Sequence, residues 1–149
     1  MPSTVIEATA LAKSYEGEEG AVIRPLDGAD LRVEEGEFVC ILGKSGAGKS
    51  TLLGILGTLD RRFDGSLRLF GRDARALGDA EISRLRGERI GFVFQSYHLF
   101  GHLSVLDNVL VPALFRPSSL DLSRRAKSLL EELGLGDRLQ SRPGQLSGG

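Results

Sequence analysis

The fold is decided by the stretch Gly43-Lys44-Ser45-Gly46-Ala47-Gly48-Lys49-Ser50, which matches the phosphate-binding loop pattern GxxxxGK[ST]. An unbroken apolar run at residues 38–42 precedes it, and such a run is typical of a parallel strand buried on both faces. Apolar residues spaced three and four apart follow it at 52–59, which predicts a helix. The order strand, glycine-rich loop, helix is the context in which this motif binds phosphate.

The residue types of the loop indicate what it binds. Its glycines let successive amide N–H groups converge on phosphate oxygens, and the start of the following helix adds a positive dipole end. Lys49 is expected to reach the β- and γ-phosphates, and the Ser50 hydroxyl is expected to bind Mg²⁺. A glycine-rich turn without a ligand is the alternative, and both flanking elements argue against it. The predicted nucleotide-binding residues of this stretch are Gly43, Lys44, Ser45, Gly46, Ala47, Gly48, Lys49, Ser50 and Thr51.

Length and composition predict a globular, cytoplasmic protein. The chain has 149 residues, of which 41% are hydrophobic, and this is enough for a cored domain. Its formal net charge of −1 gives no basic field for nucleic acid. The N-terminus lacks the pattern of a signal peptide, and the longest apolar run, residues 109–115, is too short to span a bilayer. The single cysteine, Cys40, lies in an apolar run and is expected to be buried.

Two kinds of strand are predicted. Residues 4–12, 29–33 and 66–70 alternate apolar with polar side chains, which is typical of half-exposed antiparallel strands. Residues 90–94 form a second wholly apolar run, like residues 38–42, and both are expected to be buried. The combination predicts a mixed sheet around a parallel core.

The remaining pattern is helical and divides the chain in two. Residues 80–86 predict a short polar helix, and residues 121–133 predict an amphipathic one that Gly134 ends. A further helix before it is predicted to be broken by Pro112 and Pro117. We therefore expect a nucleotide-binding α/β core at residues 1–95 and an α-helical subdomain at 96–149.

Four features together give the chain a family resemblance. The phosphate loop is the first. The second is Gly91-Phe92-Val93-Phe94-Gln95, which resembles the Q-loop of ABC transporters, and the third is Leu146-Ser147-Gly148-Gly149, which resembles the start of their signature sequence. Tyr15 stands where that family carries an aromatic residue. In order and separation these features cover nearly the whole chain, which resembles the ATP-binding subunit of an ABC transporter. The implied fold class is an α/β P-loop NTPase with a mixed β-sheet core and a helical subdomain.

The resemblance implies roles for residues outside the loop. Tyr15 would stack on adenine, although it could also pack its ring on the sheet. Gln95 would contact Mg²⁺ and the attacking water, which makes Gln95 and Lys49 the catalytic candidates and Ser50 and Gln95 the metal ligands; a polar strand cap is the alternative for Gln95. Ser147, Gly148 and Gly149 would face the γ-phosphate held by a second subunit, although terminal glycines are more often a frayed tail.

The resemblance also implies partners and a function. Two ATP-binding subunits would sandwich two ATP molecules head to tail and drive an integral membrane permease from the inner face of the cell membrane. Residues 56–60, 90–95 and 106–112 look like the group that serves lipoprotein release and macrolide export. A nucleotide-binding module that does not hydrolyse ATP is the main alternative, and another phosphate-loop class such as a kinase is the weaker one.

The sequence departs from the family pattern in one respect. The family continues with an apolar strand ending in Asp-Glu and with a switch histidine, and these 149 residues contain neither. His98 and His102 directly follow the Q-loop, so we assign them no role. Either the 149 residues are a truncated gene product, or the missing part is supplied elsewhere. Because the acidic pair is missing, we predict that the 149-residue chain alone is marginally stable, prone to aggregation and inactive.

Overall fold

A computed structural model describes residues 3–17, 20–115 and 122–146. The chain forms two compact units, Met1–Val93 and Phe94–Gly149, and each is described by itself.

The first unit is built on an antiparallel sheet. Its strands are β1 (Thr4–Glu16), β2 (Val22–Glu34), β3 (Asp64–Leu69) and β4 (Arg72–Asp73), in the order β2-β1-β3-β4. The long β1 pairs with β2 on one side and with β3 on the other. The three predicted alternating strands are therefore present.

Two helices accompany the sheet in this unit. Helix α1 (Lys49–Leu56) follows the phosphate loop, and α2 (Asp79–Arg89) precedes the second apolar run. The core joins the sheet to α1 through buried aliphatic side chains: Ala8, Leu11, Leu26, Ile55, Leu56, Leu67, Leu69 and Ala74. The predicted polar helix at 80–86 is present within α2, which is anchored by the buried side chain of Ile82.

The second unit is helical. Helix α3 (Val105–Leu110) continues as a 3-10 helix at Val111–Phe115, and α4 (Leu122–Glu132) is followed by 3-10 turns at Gly136–Arg138 and Pro143–Gln145. Its core consists of Val105, Leu106, Ala126 and Leu130. The helix changes type at Val111, next to the expected break at Pro112, and Pro117 lies outside the described residues. Gly134 follows α4 with φ +74°, as a left-handed helix stop requires.

Several expectations about burial were wrong. Residues 38–42 and 90–94 form no strand within the described residues. Phe38 is 94% exposed, Val93 is fully exposed, and Cys40 is exposed rather than buried. The physical reason is that a parallel strand needs hydrogen-bonding neighbours on its edges, and the described sheet contains only β1 to β4, all antiparallel. The mixed sheet with a parallel core is therefore not observed.

Two smaller corrections concern element ends and faces. The first strand does not end before Lys13 but continues through Tyr15 to Glu16, because β2 supplies pairing partners along this length. On α4 the predicted apolar face is only partly buried, since Leu129 and Leu133 are exposed.

Candidate functional site

Gly48 fixes the junction between the phosphate loop and α1. It is the residue before the helix, with φ +81°, and a Cβ added there would lie 2.1 Å from the carbonyl oxygen of Pro25 on β2. The first helical hydrogen bond runs from the Leu52 amide to the Gly48 carbonyl at 2.8 Å. Only glycine combines this backbone conformation with this approach, so the start of α1 is held against β2.

Lys49 folds back over its own loop. Its Nζ donates to the carbonyl oxygens of Gly43 at 2.8 Å and Lys44 at 2.7 Å. The Ala47 amide also donates to the Lys44 carbonyl, at 3.2 Å. These bonds close the loop into a compact turn that carries an ammonium group beside the start of a helix.

The rest of the loop presents its backbone outward. Ser45, Gly46 and Ala47 are exposed, and within the described residues the amides of Ser45, Gly46 and Gly48 donate no hydrogen bond. Amides left free at a helix start bind anions well. On the first turn of α1, Ser50 is exposed and Thr51 is half-buried, so the Ser50 hydroxyl is accessible beside them.

Tyr15 lies near this loop along the sheet. It is 43% exposed and stands opposite Ile23 on β2. Pro25, whose carbonyl approaches Gly48, is two residues farther along β2, a distance of about 6.6–6.8 Å in a strand. The register of β1 and β2 therefore brings Tyr15 and the phosphate loop to the same part of the unit.

Sequence reasoning missed the groups that hold Tyr15. The Lys13 ammonium lies 4.9 Å from the centre of the Tyr15 ring, and the Tyr15 hydroxyl is 3.5 Å from Oδ2 of Asp60. Lys13 is only 7% exposed, forms an ion pair with Asp60 at 2.8 Å, and donates to the Arg62 carbonyl at 2.5 Å. The available signal was the placement of a lysine two residues before Tyr15 in the same strand, which puts both side chains on one face.

The charge of Asp60 is stabilised in this cluster. Partial burial alone would raise the pKa of its carboxyl group. The hydrogen bonds from Lys13 and from the Arg62 amide, together with the Lys13 charge and the Tyr15 hydroxyl, outweigh that effect, and the pKa of Asp60 lies below its ordinary value. The cluster borders an open cleft of about 850 Å³.

The other predicted site residues belong to the second unit or lie outside the described residues. Gln95 is exposed in a bend of the second unit, whereas Lys49 belongs to the first. Ser147, Gly148 and Gly149 lie outside the described residues. His98 and His102 make edge-to-face contacts with Phe94 and Phe100, at 5.1 and 6.1 Å between ring centres.

An exposed apolar segment follows Gln95. Tyr97 is 70% exposed, and Leu99 and Phe100 are about half exposed. Asn108 on α3 holds the end of this segment, accepting from the Phe100 amide at 2.8 Å and donating to the Phe100 carbonyl at 3.1 Å. The backbone of Phe100 is thus held by α3, while the side chains of Tyr97, Leu99 and Phe100 are at least half exposed.

The geometry first defines a class. A loop that matches GxxxxGK[ST], opens a helix, and offers free amides beside a lysine and a serine is the phosphate site of P-loop nucleotide-binding proteins.

Comparison with known proteins then gives the family. The sequence profile of the family described as "ABC transporter" matches residues 26–149. The chain belongs to the ABC transporter family, as an ATP-binding domain. The predicted fold class, an α/β P-loop NTPase of the ABC type, is confirmed by two solved dimeric structures of the ATP-binding cassette MJ0796, one of them bound to ADP and Pi, each with a TM-score of 0.84 and 35% or 36% identity. The parallel strands of its mixed sheet are the part that the described residues do not show.

Curated relatives support the same assignment. The chain is 50% identical over 146 residues to a macrolide export ATP-binding/permease protein MacB of Paracoccus denitrificans. It is 45% identical over 150 aligned positions to the pyoverdine export ATP-binding/permease protein PvdT of Pseudomonas savastanoi, and 48% identical over 128 residues to an ABC transporter ATP-binding protein of Thermotoga maritima. The predicted resemblance to macrolide exporters is confirmed.

The chain is shorter than the proteins it matches. It spans 22% and 23% of the two exporters and 55% of the Thermotoga protein, and 63% of the solved cassettes. Among the residues that the structure describes, no helix has the length and apolar character needed to cross a bilayer.

Proposed function

We propose that this chain binds Mg-ATP at the loop of residues 43–50 as part of an ABC transporter. The observation that carries the proposal is the exposed loop at the start of α1, where free amides, the Lys49 ammonium and the Ser50 hydroxyl lie together. An anion bound there would meet the positive end of the helix and a full positive charge. Gly43 to Thr51 would form the phosphate site, and Tyr15 would stack on adenine.

Each polar group of the site would have a distinct task. The Lys49 ammonium would exchange its loop carbonyls for oxygens of the β- and γ-phosphates, which accept hydrogen bonds more strongly because they are charged. The Ser50 hydroxyl would bind Mg²⁺, with Gln95 as a further ligand that also orients the attacking water. Ser147, Gly148 and Gly149 would contact the γ-phosphate of a second ATP-binding domain.

For catalysis we propose less than for binding: the purified chain binds ATP without hydrolysing it. Hydrolysis in the family pattern needs an Asp-Glu pair after an apolar strand, and no such pair follows an apolar run in these 149 residues. Removing a general base commonly costs a factor of about 10²–10⁴ in rate. We therefore expect the purified chain to hydrolyse ATP no faster than buffer, and its role alone would be that of a nucleotide-binding module.

The names of the relatives support a proposal about partners. The MacB and PvdT relatives are named ATP-binding/permease proteins, and the MJ0796 cassettes are dimeric. We propose that this domain pairs with a second ATP-binding domain and works at the inner face of the cell membrane with a permease. The exposed residues after Gln95, including Tyr97 and Phe100, would receive a short helix of that permease.

Equilibrium binding of a fluorescent ATP analogue tests the site. Replacing Lys49 by Ala removes charge-assisted hydrogen bonds that contribute about 1.5–3 kcal/mol, so affinity should fall about 10- to 150-fold. Lys127→Ala, which removes an exposed lysine from α4, is the matched control and should bind like the wild type. Equal affinity of the Lys49 variant and the wild type would overturn the site assignment.

Phosphate release measured on the same proteins tests the catalytic proposal. Turnover above the buffer rate that disappears in Lys49→Ala would show that the chain carries a catalytic group of its own. Equal release by the wild type, the Lys49 variant and buffer is the expected result.

A further inference from the structure

Lys13 is an unusually placed charge for a small sheet. Its side chain is almost entirely buried, and a buried lysine is costly unless partners compensate for the water that its ammonium loses. Three groups do so: the carboxylate of Asp60, the carbonyl of Arg62 and the face of the Tyr15 ring. Two of these partners lie in the chain after α1, and the third lies two residues away on β1.

The same pair also contacts both parts of Tyr15. Lys13 lies over the ring, while Asp60 lies within 3.5 Å of the hydroxyl at its end. A cation over one face of a phenol ring attracts it, and the hydroxyl contact restricts its rotation about the second side-chain torsion. The side chain nevertheless remains 43% exposed, so the ring is held in place without being covered.

We infer that the Lys13–Asp60 ion pair is a positioning device for Tyr15, which fixes the ring so that one face remains open to the base of a bound nucleotide. This inference rests on the proposed function, because it assumes that nucleotide binds at the neighbouring loop. Lys13 and Asp60 are positioning residues, since they act through Tyr15 and not on the phosphates.

The energetic argument is one of preorganisation. A side chain that is free in the unliganded protein must be ordered when it binds, and that ordering costs about 0.5–1.5 kcal/mol for a flexible side chain. The pair orders Tyr15 beforehand, so the stacking interaction is not reduced by this cost. The effect of the ion pair on affinity must therefore appear only for ligands that carry a base.

This property separates positioning from a merely structural role. A structural ion pair that ties β1 to the chain after α1 would affect every ligand of the loop equally. A positioning pair would affect ATP and leave inorganic tripolyphosphate, which has no base, unchanged. The measured quantity is therefore the ratio of the dissociation constants for tripolyphosphate and ATP, obtained by competition against a fluorescent ATP analogue.

The principal variants are Lys13→Met, which keeps the length of the side chain without its charge, and Asp60→Asn. Each should weaken ATP by roughly threefold to tenfold, less than removal of the stacking ring in Tyr15→Ala, and should leave tripolyphosphate unchanged. Arg72→Met is the matched control, because it breaks the exposed ion pair of Arg72 with Glu81 in the same unit and should change neither constant.

A double-mutant cycle decides whether the pair acts through the ring. In a Tyr15→Ala background, Lys13→Met should have no further effect on ATP. An equal loss for ATP and tripolyphosphate, or an undiminished effect in the Tyr15→Ala background, would overturn the inference. If Lys13→Met does not give a folded domain, the Asp60→Asn series decides by the same criteria.

Failure of the proposed function would look different. In that case Lys49→Ala would leave both ligands unaffected, whatever the Lys13 and Asp60 variants do. If Lys49→Ala weakens both ligands and Tyr15→Ala weakens neither, the phosphate site stands and the positioning role is wrong.

Discussion

The alternating strands and the unbroken apolar runs of this chain behave in opposite ways. β1 pairs with β2 on one side and with β3 on the other, and Leu11 and Leu67 are completely buried. Residues 38–42 and 90–94 are more apolar, yet they form no strand and expose Phe38, Leu42 and Val93. Hydrophobicity alone therefore does not decide burial in this protein. Burial also requires a neighbouring strand that can form backbone hydrogen bonds.

The difference lies in where each segment finds its neighbours. β1 and β2 are joined by a short connection and form an antiparallel pair, and β3 adds to the other edge of β1. A parallel strand instead needs neighbours reached through crossovers, and cover on both faces. In the second apolar run, Ile90 packs against the core, and the Phe92 ring lies where a Cβ on Gly57 would come within 2.3 Å of it.

Amide hydrogen exchange should show the largest contrast between the two kinds of segment. Residues 38–42 donate no backbone hydrogen bond within the described residues, so their amides should exchange almost freely. Amides of β1 that bond to β2 or β3 should be protected; an opening free energy of about 4 kcal/mol gives roughly 1,000-fold protection. Comparable protection of residues 38–42 would show that this run is paired in solution.

Truncation of one buried and one exposed side chain tests the same contrast energetically. Leu67→Ala removes a fully buried side chain of β3 and should lower the free energy of unfolding by about 2–5 kcal/mol. Phe38→Ala removes a larger side chain that is 94% exposed and should change it by less than about 0.5 kcal/mol. Urea unfolding followed by circular dichroism measures both. Similar losses would mean that Phe38 is packed.

Alanine substitutions at two glycines of the phosphate loop should lower stability by different amounts, because only one of the two glycines lies against another strand. Gly46 and Gly48 have almost the same backbone conformation, with φ +79° and +81°. A methyl group at Gly46 meets open space, whereas one at Gly48 meets the Pro25 carbonyl. Gly46→Ala should cost about 1–2 kcal/mol through its left-handed backbone alone, and Gly48→Ala should cost more. Equal unfolding free energies would show that α1 is not held against β2 as described.

The smallest expected effect is the pH dependence of stability that arises from the ion pair between Lys13 on β1 and Asp60. Because the pKa of Asp60 in the folded state lies below its ordinary value of 3.8, the unfolded state binds more protons in this range. The contribution to stability is fully present well above pH 3.8 and is lost as the pH falls through the folded-state pKa. Melting temperatures of the wild type and Asp60→Asn should therefore converge in acid.

Glu81 gives the control for that measurement. Its pKa is also lowered, chiefly by the hydrogen bond from Arg72, but the carboxyl group lies at the surface. Glu81→Gln should consequently show a weaker pH dependence than Asp60→Asn. The reverse order would indicate that Asp60 is more hydrated than the structure describes.

The predictable parts of the fold are those encoded in local pattern. Alternation located the three antiparallel strands, and the spacing of leucines located α1, because both patterns depend on neighbours close in sequence. The predicted burial of Cys40 was wrong. Burial of this side chain would require strands beside residues 38–42, and local sequence pattern does not show whether such neighbours are present. The length of β1 was missed because its last residues are polar and are held by pairing with β2 rather than by burial.

The candidate site also has parts that local sequence pattern predicts and parts that it does not. The phosphate loop is contiguous in sequence, so its motif was visible at once. Lys13 and Asp60 form an ion pair although they lie 47 positions apart in the sequence. No rule of sequence spacing predicts such a contact. The position of Gln95 relative to Lys49 depends on two separate units, which sequence pattern cannot orient. The role of Gln95 remains a prediction.

The hydrogen bonds of Lys49 have a consequence for ligand recognition. Its ammonium already donates to the carbonyls of Gly43 and Lys44, so the proposed phosphate binding would be an exchange of hydrogen-bond acceptors. A neutral ligand would offer the ammonium no stronger acceptor than these carbonyls, whereas a polyphosphate would offer charged oxygens and displace them. If the loop binds nucleotide as proposed, it would therefore favour ligands by their negative charge, independently of any base or metal.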